Sequence, residues 1–119
     1  MPWTLATWIG RVLIACLFVP AGILKIVGPK PFLDHMTEFH VPTVLLPAVI
    51  ALELGGGALV LTGWQGRWGA LALAAFCIAT AFVFHFDLGN KVERTQFIKD
   101  LAISGGLFIL AANFARAQA

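Results

Sequence analysis

The sequence predicts an all-α fold, a transmembrane four-helix bundle with up-down-up-down topology. Three observations carry that expectation. Of 119 residues, 60% are hydrophobic and only 12% are charged, whereas soluble domains carry about a quarter charged residues. The apolar residues gather into four runs, about 5–27, 44–63, 68–86 and 97–115. Each run is long enough to cross a hydrocarbon core about 30 Å thick at about 1.5 Å per residue. The connections between them are short, so successive helices run antiparallel. The chain reads as a single membrane domain over residues 1–119.

The first run carries only Arg11 and Lys25 as charges. No basic segment precedes it and no small-x-small site closes it, so it reads as a retained membrane helix and not as a cleaved leader. Trp3 and Trp8 lie at its start, where indoles favour the headgroup region. Pro20 lies deep inside it and is expected to remove one backbone hydrogen bond and kink the helix. Gly28-Pro29-Lys30-Pro31 ends the run. Residues 32–42 then form the longest polar stretch, with Phe32, Leu33, Met36 and Phe39 spaced for one apolar face. This predicts a short amphipathic helix on the membrane surface, capping one end of the bundle. Its histidines, His35 and His40, are expected to be ordinary solvated side chains.

The second run has Pro47 near its start, where proline is tolerated, and Glu53 near its middle, followed by Gly55-Gly56-Gly57. Trp64-Gln65-Gly66-Arg67-Trp68 reads as an interfacial turn. The third run is uncharged and alanine-rich, which favours close helix approach in lipid, and ends beside His85. Residues 87–96 read as a second polar loop. The fourth run opens with Lys99 and Asp100 and continues through Ser104-Gly105-Gly106.

Glu53 is the residue that asks for an explanation, because a lipid-facing carboxylate is costly and intramembrane charges mark functional sites. The bundle topology places Lys25, His85, Lys99 and Asp100 at the end where the first and third connections lie. Glu53 lies roughly 14 Å deep from that end, and Arg11 lies nearer the opposite face. Arg11 and Lys25 fall within roughly 40° of one helix face, with Phe18 and Gly22 between them. Lys99, Gly106 and Asn113 share a stripe of the fourth helix. Two pairings of Glu53 are open, with Arg11 or with Lys25, and Asp100 would take a remaining cation. The glycines after Glu53 would let another helix pack close. Such a cluster is either an ion network that fixes helix order or a polar pocket that exchanges protons with a ligand.

Other chemistry is poorly supported. A net charge of +2 without a basic run gives no reason to expect nucleic acid. No Cys/His cluster has metal-ligand spacing, and no glycine motif is of the phosphate-binding kind. Cys16 and Cys77 read as small buried hydrophobes, with a cross-helix redox pair as the sharper alternative. More Lys and Arg lie on the side of the first and third loops, which predicts those loops inside and both termini outside.

The ordered motifs resemble the DoxX family of small integral membrane proteins. They are Arg11, Leu17-Phe18 and Gly22-Ile23-Leu24-Lys25; then Glu53-Leu54-Gly55-Gly56 and Gly63; then His85; and last the Phe97–Gly106 segment around Lys99-Asp100. The resemblance implies a four-helix membrane protein of a bacterial-type inner (cell) membrane. Some members are subunits of a thiosulfate:quinone oxidoreductase, others are linked to redox defence, and distant ones look like assembly factors. The family's charged intramembrane positions map onto Arg11, Lys25, Glu53, His85, Lys99 and Asp100. The function expected is therefore a redox-associated membrane component that binds a quinone. Its partners would be the lipid bilayer and either a redox subunit or further copies of the chain. The alternative is a non-catalytic partner or assembly protein whose buried charges are structural. A transporter would need a homo-oligomer, because no inverted repeat is visible.

Overall fold

The computed structural model describes residues 5–118, which are all-helical with no strand among them. Trp3 lies outside the described residues. The elements are α1 (Leu5–Val27), α2 (Lys30–Glu38), a 3-10 turn (Thr43–Leu45), α3 (Leu46–Thr62), α4 (Gly66–Phe84) and α5 (Lys91–Gln118). Four helices are long and apolar enough to cross a membrane: α1, Thr43–Thr62, α4 and the Lys91–Arg116 part of α5. The chain is an integral membrane protein. Many of its large exposed side chains, such as Leu13, Val27, Val44 and Ile109, are apolar, as a lipid-facing surface requires.

Packing runs in the order α1–α3–α4–α5. Glycine makes the α1–α3 and α3–α4 seams tight. A side chain at Gly57 would collide with Val19 of α1, and one at Gly56 would collide with Leu73 of α4. The expected role of the Gly55-Gly56-Gly57 run thus holds for two of its members, each serving a different neighbour. Gly55 itself is exposed with open space around it. The α4–α5 seam is bonded as well as packed. Ser104 Oγ lies 3.2 Å from the Ala74 carbonyl of α4 and 2.9 Å from the Asp100 carbonyl of its own helix.

α1 stays helical through Pro20. α2 is the amphipathic segment the sequence predicts, starting two residues earlier at Lys30, and it buries Met36. α5 departs most from expectation. It starts at Lys91, inside the stretch read as a polar loop, because Asn90 caps it. Asn90 Oδ1 accepts from the Val92 and Glu93 amides at 2.9 and 3.2 Å, which satisfies two donors that would otherwise lack partners. Asn90→Ala is expected to cost about 1 kcal/mol. Faster amide exchange confined to residues 92–94 would confirm the cap; unchanged exchange would argue against it.

The inward face of α5 is also not the expected one. Gly106 is exposed with nothing nearby, and Lys99 is exposed. The buried residues are Ser104, Leu107, Leu110, Ala111 and Phe114. They follow a helical stripe that begins at Asp100, one position on from Lys99, so the stripe is rotated by about 100°.

Candidate functional site

Arg11 and Glu53 are both buried, at 1% and 3% exposure, but they do not meet. Arg11 Nε donates to the Val60 carbonyl and Nη2 to the Leu61 carbonyl, both at 2.9 Å. These carbonyls belong to the last turn of α3, where intrahelical donors run out. The turn that follows explains why. Gly63 takes φ +85° and its amide bonds the Leu59 carbonyl at 2.9 Å, so the chain leaves the helix before Val60 and Leu61 find amides. The guanidinium fills that gap and lies over the Trp8 and Phe114 rings at 4.0 and 5.2 Å. A cation at a helix C-terminus is further favoured by the helix dipole. Of the two pairings open from sequence, Glu53 with Arg11 is therefore ruled out. Arg11 sits too near the other face and joins α1 to the end of α3.

Lys25 takes the carboxylate. Its Nζ lies 2.7 Å from Glu53 Oε1, with the two side chains 15% and 4% exposed. Oε1 is enclosed and accepts no well-aligned hydrogen bond among the described residues, so charge attraction carries the contact. Phe32 of α2 covers the ammonium, its ring 4.7 Å from Nζ.

His85 joins a second acidic group. Its Nδ1 lies 2.7 Å from Glu93 Oε2, and its Nε2 lies 3.9 Å from Asp100 Oδ2. The second distance is too long for a direct hydrogen bond but suits a bridging water. Asp100 was expected to pair with a remaining cation, and the partner is this histidine. Three rings join the chain on either side of it. Phe82 and Phe97 meet edge to face at 5.2 Å, and Phe86 stacks on Phe97 at 5.7 Å. They fasten the end of α4 to the start of α5 around His85.

The Lys25–Glu53 pair, His85 and Asp100 line one cavity of about 600 Å³ in the loop-side half of the bundle, while Glu93 holds His85 from outside its lining. Ligand sites typically enclose about 300–1,000 Å³ with few polar groups on apolar walls. Lys25, Glu53, His85, Lys99 and Asp100 line it; Arg11 does not. Five of the six expected positions thus share one space. Lys99 takes part as an exposed cation at its edge.

Sequence reasoning missed two contributors. His35 is not a solvated side chain: it lines the cavity and stacks on Phe84 with centroids 4.8 Å apart and planes 23° apart. Its spacing from Phe32 and Phe39, three and four residues, was the available signal. Glu93 was hidden in the supposed loop, although Glu93, Gln96 and Asp100 fall on one face once the helix starts at Lys91. Cys77 is the buried residue expected and also lines the cavity, whereas Cys16, expected to be buried too, is exposed; both thiols are free. The cross-helix redox pair therefore does not form.

The family model described as DoxX matches residues 6–86, which run from α1 to just past the end of α4. The Inner membrane protein YqjF of Escherichia coli (strain K12) is 42% identical over 103 residues, covering 87% of this chain and 79% of that protein. No solved structure matches significantly.

Proposed function

We propose, on the premise that this chain belongs to the DoxX family, that it is a quinone-interacting component of a bacterial inner membrane. The membrane assignment draws support from the name of the Escherichia coli relative. One observation carries the ligand reading. An apolar-walled cavity within the bundle holds a lysine–carboxylate pair and a histidine held between two carboxylates.

Those residues suit a quinone. A quinone supplies redox chemistry in which electrons and protons are taken up together at its ring oxygens. Lys25 and Lys99 would offer ammonium donors to a ring carbonyl oxygen. His85 would hold a proton at Nε2 and draw on Glu93 at Nδ1, while Asp100 fixes the ring's orientation. The apolar walls exclude water and fit a ring with a hydrocarbon tail. The free thiols offer no paired redox centre, so electrons would pass through a redox partner subunit or a second copy of the chain.

The second reading, a non-catalytic partner or assembly protein, is favoured by one contact. Lys25 and Glu53 already neutralise each other's charge at 2.7 Å, as a purely structural pair would. The test is direct. The protein is purified in nanodiscs, its lipid extract is analysed for lipophilic quinones, and its thermal midpoint is measured with a fully substituted decyl-tailed benzoquinone. Co-purifying quinone and a rise in midpoint that His85→Ala abolishes are expected. No quinone and no shift would leave the structural reading.

A further inference from the structure

We infer that the seam between α1 and α5 is a lateral portal through which a hydrocarbon chain reaches the cavity from the bilayer. The packing carries the inference. α1 packs on α3, α3 on α4, and α4 on α5, but α1 and α5 form no comparable seam. Two of the packed seams rest on glycines that leave no room for a side chain, and Gly22 adds to the α1–α3 seam by fitting against Leu54. The glycines of α1 and α5 away from these seams, Gly10, Gly105 and Gly106, have open space around them.

The unpacked seam is closed at one end only. Towards the termini, Arg11 lies over Phe114, and Phe18 joins the buried cluster that holds Leu107 and Phe114. Towards the loops no ion pair, ring contact or side-chain hydrogen bond joins the two helices among the described residues, and both contribute to the cavity wall. Leu17 of α1 marks the rim: it lines the cavity and is 46% exposed. The route towards water is different. α2 lies across it, with Phe32, His35 and Met36 turned to the cavity and Met36 buried.

A membrane-dissolved ligand with a long tail would not fit whole into about 600 Å³. Its tail has to leave through a wall, and leaving into water would expose apolar surface. The α1–α5 seam leads into lipid. The shared chemistry is a single hydrocarbon chain, from a quinone tail or from a lipid acyl chain. The portal rests on the packing; naming its occupant as a quinone tail rests on the function proposed above.

Cys77 reports on the cavity. In a Cys16→Ser background in nanodiscs, its labelling is followed with two reagents, a bilayer-partitioning maleimide and a sulfonated, water-confined one. Each rate is referred to that of the unfolded protein. The lipid-borne reagent is expected to label about tenfold faster, since access governs the rate of a given thiol. Leu17→Trp should slow it and Leu17→Ala should speed it; the alanine variant keeps the test open if the tryptophan variant does not fold. Faster labelling by the sulfonated reagent, rates indifferent to residue 17, or no labelling by either reagent would each overturn the portal. The decyl-tailed benzoquinone should protect Cys77. Lipid-borne labelling without such protection would remove the quinone reading and leave the portal to lipid chains.

Discussion

Replacing Arg11 with methionine is expected to destabilise the protein by about 2–4 kcal/mol, since each buried carbonyl left without a donor costs about 1–3 kcal/mol and that of Leu61 is only partly buried. The loss has a specific source. Val60 and Leu61 would keep their carbonyls in the bundle with no donor, because the turn at Gly63 gives them no amide. Methionine replaces much of the side-chain volume, so lost packing does not explain the effect. Arg11→Lys should recover only part of it. An ammonium is one point donor on a flexible stem, whereas the guanidinium reaches both carbonyls from a fixed plane. Unfolding in mixed micelles, followed by tryptophan fluorescence, measures both variants. A methionine variant within about 1 kcal/mol of the parent would mean that the carbonyls find other donors.

The second large effect belongs to Lys25 and Glu53. Glu53→Gln or Lys25→Met alone is expected to cost about 3 kcal/mol, because each leaves an uncompensated charge in a poorly hydrated site. The double variant should cost less than the sum by roughly 2–3 kcal/mol, since neither charge then remains. This cycle also bears on function. If the pair only fixes helix order, the double variant regains stability and quinone has no measurable effect on any member of the series. If the pair serves a ligand, the double variant regains stability but loses the quinone-dependent rise in thermal midpoint. Stability and binding then separate within one set of proteins.

The charged residues show how far sequence reasoning reached. Lys25, Glu53, His85 and Asp100 were legible because charge is costly in lipid wherever it lies, so each announced itself within an apolar run. Their partners were less legible. Arg11 shares a helix face with Lys25, and helical angle alone could not say which of them meets Glu53. Depth along the bundle decided it. Glu93 was misread because polar stretches next to a membrane look alike, whether they form a loop or the extended end of a helix; His35 was misread although its helix was expected, because its surroundings depend on Phe84 of α4. A single asparagine at position 90 set that boundary.

By itself, the sequence determined the all-α class, the four spans, the amphipathic helix α2 and most of the charged cluster. These follow from local properties: run length, hydropathy and the cost of charge in hydrocarbon. Only the tertiary structure decided that Arg11 serves the end of α3 while Lys25 takes Glu53. It alone turned α5 so that Asp100 and Ser104 face inward in place of Lys99 and Gly106. It also decided that one seam of four stays loosely joined beside a cavity. The reason is physical. A helix fixes which residues share a face, but the depth and rotation of one helix against another depend on where glycines allow approach and where carbonyls lack donors. Those are properties of pairs of helices, and no single segment contains them.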